Sequence, residues 1–272
     1  MRRLVAGVLV LAGCATAPRT AATLAPIRVL SYNIHAGKDA ERRPALERVA
    51  ALIDSAGADV VLLQEVDRGT RRSGGVDQVA ELERLTRRHA AFAASLDSYD
   101  GGQYGIAILS RFPIADAEKV PLSVEPPQPR SGDSHEPRVA LHVTLAPPGG
   151  PLHVVTTHLD ASGAGTYRRQ ELVQVLAHLR RHVPPGAPLV FGGDLNADAS
   201  GDEAAAISLA LHDSWAECGR GEGGTYPASV PTKRIDYIFF RGGRCIDARV
   251  PASQASDHRP LAVTLEFGRL SQ

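Results

Sequence analysis

The chain has 272 residues, with 30 Lys+Arg balanced by 30 Asp+Glu and a hydrophobic content of 43%. That length supports a sizeable core, in one large domain or two small ones. Zero formal net charge leaves no chain-wide footprint for nucleic acid or anionic lipid, although a local basic patch stays open, and 5% aromatics argues against extensive base-stacking surfaces.

Met1-Arg2-Arg3 is a short positive segment, and Leu4 to Gly13 is an uninterrupted apolar and small run. The run is shorter than the about 20 residues a membrane-spanning helix needs. It fits the hydrophobic region of a secretory signal. It ends in Leu11-Ala12-Gly13-Cys14, which resembles the lipobox of bacterial lipoproteins, with an ordinary signal peptide and a chance cysteine as the alternative. The lipobox reading divides the chain into a signal at 1–13, an Ala/Thr/Pro-rich tether at 14–26 and a domain at 27–268. It implies export and a lipid anchor on Cys14 in the bacterial envelope. Ala15 rather than aspartate follows the cysteine, which favours the outer membrane, facing the periplasm or the cell surface. Cys218 and Cys245 then have two readings, a disulfide or two buried thiols.

Strands are expected at 27–33 and, as a continuous apolar run covered on both faces, at 59–65. Between them, residues 43–57 place Leu46, Val49, Ala50 and Ile53 on one helical face, with Gly57 as a stop. A helix is expected at 76–90 and a strand at 104–110. Residues 120–137 hold five prolines and read as a long loop. Strands follow at 138–145 and 152–158, a helix at 167–182, a strand at 188–192 and a short helix near 202–211. Strands at 235–241, 245–250 and 260–266 close the chain. The pattern is α/β, and a two-sheet sandwich flanked by helices satisfies it.

Several of these strands run into a polar residue suited to metal binding or catalysis: Asn33, Glu65, His158, and Asp194 with Asn196. Asp257 and His258 precede the last strand. Asp194 and Asn196 stand two apart and so face the same way, while Gly192 and Gly193 permit a close approach by a ligand or another backbone. Each residue alone has an ordinary structural reading, such as an Asx-turn for Asp194-Leu195-Asn196 or a salt bridge for Glu65. Gathered at one rim, three acids (Glu65, Asp194, Asp257) and two amides (Asn33, Asn196) call for a hard cation, Mg²⁺ or Mn²⁺.

The ordered set SYNIHAG, LLQEVD, YGIAILSRFPI, TTHLD, GGDLNAD, RIDYIF and SDHRPL resembles the endonuclease/exonuclease/phosphatase superfamily across residues 28–266. The resemblance implies a four-layer sandwich of two central mixed β-sheets flanked by helices, with the site at one edge of both sheets. It implies that Asn33 and Glu65 hold the divalent ion, with Asp257 at the metal edge. Asp194 orients or deprotonates the attacking water, Asn196 positions water or phosphate, His158 contacts phosphate, and His258 pairs with Asp236, with Asp194 and His258 both open as the general base. Some relatives support the histidine equivalent to His158 with a carboxylate, for which Asp100 and Gln103 are poor candidates. Asp39 and Asp160 are polar residues beside the motifs.

The expected activity is metal-dependent hydrolysis of a phosphate ester, with a diester favoured. Nucleic acid, a phospholipid headgroup and a small organic phosphate compete as substrates, and no protein partner is implied. For nucleic acid, Arg71, Arg72, Arg87, Arg88, Arg130 and Arg138 are the candidate phosphate contacts. A non-enzymatic envelope lipoprotein using the fold as a binding scaffold is the alternative.

Overall fold

The structure is a computed structural model and describes residues 25–126, 136–163 and 165–268. The signal, Cys14 and most of the expected tether lie outside the described residues, as does Arg130. In chain order the elements are β1 (Ile27–Asn33), α1 (Leu46–Ser55), β2 (Val60–Arg68), α2 (Gln78–Thr86), β3 (His89–Tyr99), β4 (Gly102–Ser110) and β5 (Ile114–Leu122). Then come β6 (Arg138–Leu145), β7 (Leu152–His158), α3 (Thr166–His182), β8 (Leu189–Asp194) and α4 (Asp202–Ser208). The last are β9 (His212–Asp213), α5 (Ser214–Cys218), β10 (Asp236–Arg241), β11 (Gly243–Arg249) and β12 (Leu261–Phe267).

Two six-stranded sheets form, in the orders β11-β12-β1-β2-β4-β3 and β5-β6-β7-β8-β10-β9. Each contains one parallel pair, β1 with β2 and β7 with β8, among antiparallel neighbours. Alternate residues of both sheets meet in a shared core that includes Val29, Leu62, Ile108, Leu141, Val154, Val190, Ile238 and Val263. The opposite face of the first sheet packs α1 and α2 through Val49, Ile53 and Leu82. That of the second packs α3 and α4 through Leu172, Val175, Leu179 and Ile207. The result is the expected four-layer α/β sandwich.

Two strands depart from the sequence expectation. The Asp77 side chain caps α2, accepting from the Val79 and Ala80 N–H groups at 3.1 Å. Arg87 then takes a left-handed conformation (φ 53°), so the helix ends at Thr86 rather than 90 and the chain turns into β3. Strand β5 ends at Leu122, inside the stretch read as loop. It is a sheet edge, and its charged, largely exposed run Asp116-Ala117-Glu118-Lys119 suits an edge better than a core. Cys218 and Cys245 are disulfide-bonded, with Cα atoms 5.8 Å apart, tying α5 to β11.

Candidate active site

The two parallel pairs end on the same side of the sandwich. Asn33 closes β1, His158 closes β7 and Asp194 closes β8, with His158 and Asp194 in register. Antiparallel β10 begins there, placing Asp236 opposite Asp194. Glu65 does not end its strand as expected. It sits in a bulge of β2, where the register with β4 shifts between Leu63 and Val66, and has φ 56°. The bulge re-aims its carboxylate out of the alternation toward the site. Backbone held in this region is costly for a non-glycine residue, and such strain clusters at functional sites.

A cleft of about 560 Å³ opens at this edge, lined by Glu65, His158, Asp194, Asn196, Asp257 and His258 among others. Asn33 and Asp236 lie fully buried beneath it. The Asn33 amide donates from Nδ2 to Glu65 Oε1 (2.9 Å) and to Asp194 Oδ2 (3.0 Å), while its Oδ1 accepts from the His35 N–H at 3.1 Å. Asn33 thus clamps two carboxylates in this arrangement and turns nitrogen, not oxygen, toward them. Asn196 donates its backbone N–H to Asp194 Oδ1 at 2.9 Å. The Asx-turn and the site are therefore the same structure.

Asp194 Oδ2 lies 3.6 Å from His158 Nε2 and 3.7 Å from His258 Nε2. Burial, and then the neighbouring Asp236, push the Asp194 carboxyl up to about 7. His258 is the opposite case. Burial alone favours the neutral ring, but Asp236, whose Oδ2 is 2.9 Å from His258 Nδ1, and then Asp194 outweigh it and raise the imidazole to about 10. At pH 7 His258 is an imidazolium held between two acids.

Among the described residues no carboxylate supports His158 at Nδ1. Asp100 is engaged by Arg71 and the Arg72 N–H, and Gln103 by Asp97. In the carboxylate's place stands a cation: Arg138 Nη1 is 3.1 Å from His158 Nδ1. A guanidinium only donates, so Arg138 calls for a lone pair on Nδ1. Burial, then Arg138, hold His158 well below the ordinary histidine value. The ring is neutral, and Asn196 Nδ2, which donates to Leu159 O at 3.0 Å, lies 3.0 Å from its Nε2, so donor groups face both ring nitrogens.

Of the six arginines considered for phosphate contact, Arg72 and Arg138 line the cleft. Arg72 is bound by Asp67 through two 2.8 Å contacts and stacked over Tyr99 and Tyr104. Arg71 is turned to Asp100, and Arg88 is buried against Ala58 O and Asp54. Arg87 is the exposed C-cap of α2. Lys233, Tyr226 and Arg168 complete the wall and carry no sequence signal of their own. Asp39 is clamped by Arg43 and Arg48, and Asp160 is bonded by Ser162, so neither lines the cleft.

Gly193 explains the double glycine. At φ 137°, a Cβ there would lie 2.0 Å from Thr157 O, and one on Gly192 would lie 2.3 Å from Tyr237 O. The close approach is backbone to backbone, not backbone to ligand. Gly193→Ala is expected to cost about 2–4 kcal/mol, combining overpacking with backbone strain. A urea titration measures it, and an unchanged midpoint would contradict the crowding.

Among the five carboxylates that line this polar cleft, Glu65, Asp194 and Asp257 are a donor set for a hard divalent cation and would hold it. Among the described residues the tightest grouping of metal-type atoms at this edge is Asp194, Asp236 and His258, within 4.8 Å of one another. The His258–Asp236 hydrogen bond accounts for that grouping without an ion.

The sequence profile of the Endonuclease/Exonuclease/phosphatase family matches residues 30–258. The chain is 27% identical to Escherichia coli K12 "Uncharacterized protein YbhP" over 264 residues, 88% of this chain and 96% of that protein. A crystal structure of an endonuclease/exonuclease/phosphatase from Beutenbergia cavernae superposes with TM-score 0.74 at 26% identity, covering 89% of this chain and 72% of that one. A Bacteroides thetaiotaomicron mannosyl-6-phosphatase shares the fold at 20% identity and TM-score 0.72, covering 89% of this chain and all of that one.

Proposed function

The chain belongs to the endonuclease/exonuclease/phosphatase family, and from that premise we propose that it is a metal-dependent phosphoesterase hydrolysing a phosphodiester by in-line attack of an activated water. The observation that carries this reading is the position of Asp194 Oδ2. It lies between the His158 and His258 Nε2 atoms, at a cleft that four further carboxylates line, Glu65 and Asp257 among them.

Asp194 is placed to take the proton of the attacking water, its Oδ1 fixed by the Asn196 N–H and its Oδ2 set between the two imidazoles at the cleft. His258, charged at pH 7, is a poor base and instead meets the negative charge developing on the phosphoryl oxygens. His158, held neutral, lies beside the same group at the cleft. Arg72 and Arg138 line the cleft as fixed cations, paired with Asp67 and Glu136 respectively. A bound divalent cation, Mg²⁺ or Mn²⁺, supplies Lewis-acid stabilisation of the phosphoryl oxygens.

The cleft volume falls in the range of small-ligand pockets, about 300–1,000 Å³, which supports a small organic phosphodiester or a headgroup over a long duplex. Among the five candidate arginines in the described residues two line it, Arg72 and Arg138, and each is already paired with an acid, which weakens the nucleic-acid reading. The test is hydrolysis of bis-p-nitrophenyl phosphate, p-nitrophenyl phosphate, plasmid DNA and sphingomyelin with Mg²⁺, Mn²⁺ or EDTA. EDTA-sensitive cleavage of the synthetic diester, faster than of the monoester, is expected. Metal-independent activity, or none on any substrate, would overturn the reading in favour of a binding scaffold.

The envelope location is part of the proposal and is supported by residues 1–14 alone. Cys14→Ala should release the full chain from the membrane fraction. Retention there would refute the lipid anchor.

A further inference from the structure

Four of the ten histidines, His142, His153, His178 and His182, gather away from the cleft, on the outer face of the second sheet beneath the C-terminal half of α3. His153 lies five residues before His158 on β7, roughly 16 Å along the strand. Facing outward from β6, His142 sits with its Nδ1 3.0 Å from His178 Nε2 and its Nε2 3.1 Å from His153 Nδ1. Glu118, across the β5–β6 pairing from His142, brings Oε2 to 3.9 Å from His178 Nε2. One donor atom each from Glu118, His142 and His178 falls within 4.8 Å of the others. The His182 ring stacks on His178 with centroids 4.3 Å apart.

We propose that Glu118, His142 and His178 form a zinc site that clamps the edge strand β5 and the end of α3 onto β6. Three features carry this. First, the spacing fits: metal–donor distances of about 2.0–2.1 Å place tetrahedral neighbours about 3.3 Å apart, and the 3.0 and 3.9 Å separations bracket that value. Second, the outer contacts fit. A ligating histidine usually donates its other ring N–H to an acceptor, which fixes the tautomer. With Nδ1 toward the ion, His142 has Nε2–H left to donate to His153 Nδ1. Third, the site has an entry path: His142 and His178 are buried, while the Glu118 side chain is 46% exposed.

The donor chemistry differs from that of the cleft. Two imidazoles and one carboxylate match a borderline ion such as Zn²⁺, whereas the cleft's oxygen set matches a hard one. The site is independent of the catalytic reading.

The test is Zn²⁺ titration by calorimetry of the full chain, stripped with chelator and kept in saturating Mg²⁺, with thermal midpoint as a second readout. Wild type and Asp194→Asn should each bind one zinc with micromolar or tighter Kd and melt several degrees higher with zinc. Glu118→Gln, a half-exposed change that leaves the core intact, should weaken binding at least tenfold, and His178→Ala should abolish it. Zinc binding that survives in Glu118→Gln at wild-type affinity, or is lost in Asp194→Asn, would overturn the proposal. So would no binding at 100 µM zinc.

Discussion

Asp194→Asn lowers kcat on a phosphodiester by roughly 100- to 10,000-fold, the range in which a positioned acid–base group contributes. The amide keeps the shape and can still accept the Asn196 N–H through one oxygen. It cannot take a proton from water. Its nitrogen would also face Asn33 Nδ2, now 3.0 Å from a carboxylate oxygen, leaving donors opposed. That mismatch costs about 1–3 kcal/mol, enough to lower the melting midpoint by several degrees without unfolding the protein at the assay temperature. Circular dichroism should therefore look close to wild type while turnover collapses. A variant with near-wild-type kcat in saturating metal would remove Asp194 from the chemistry.

The second large effect lies in the pH profile of Asp236→Asn. In the wild type, His258 is held up to about 10 because Asp236 and Asp194 outweigh burial. A folded value above the ordinary 6.5 means that the ion pair's stabilisation is complete below pH 6.5 and is lost as pH rises through about 10. Activity that needs the imidazolium falls on the alkaline side near 10. In Asp236→Asn the strongest raising partner is gone and burial pulls the ring the other way. The alkaline limb of kcat/KM then moves down by more than one pH unit, so the loss is larger at pH 9 than at pH 6. A uniform loss with an unmoved limb would contradict the assigned charge state of His258.

Much of the fold was legible because the parallel strands are buried on both faces and read as continuous apolar runs, as in Val60-Val61-Leu62-Leu63. Strand β3 was not. Its sequence, His89-Ala90-Ala91-Phe92-Ala93-Ala94-Ser95, is alanine-rich, has little strand propensity, and gives no signal for the left-handed Arg87 that ends the helix before it. Strand β5 was hidden for the opposite reason, since an edge strand carries charge where the core strands carry valine.

The site shows the same division. Asn33, His158 and Asp194 were readable as strand-terminal polar residues, and the Asp236–His258 pair from chemistry and resemblance together. Glu65 was read as a strand end, but a bulge places it, and single-residue insertions in a ladder leave no trace in apolar periodicity. Arg138 on His158 was missed because an opposing cation, not a carboxylate, occupies that place. Nothing in the order of residues distinguishes it from the other arginines. The histidine cluster was invisible for want of spacing: its members lie on β6, β7 and α3, brought together only by the sheet and the helix laid on it.

The most direct test of the central claim compares wild type with Glu65→Gln after dialysis against EDTA. Hydrolysis of bis-p-nitrophenyl phosphate is followed as Mg²⁺ or Mn²⁺ is added back. The account predicts no activity in either protein without metal, and recovery with a saturable metal dependence in the wild type. Glu65→Gln should need at least tenfold more metal or fail to recover. Equal recovery of both proteins, or hydrolysis that persists in EDTA, would contradict a metal-dependent centre built on Glu65, Asp194 and Asp257.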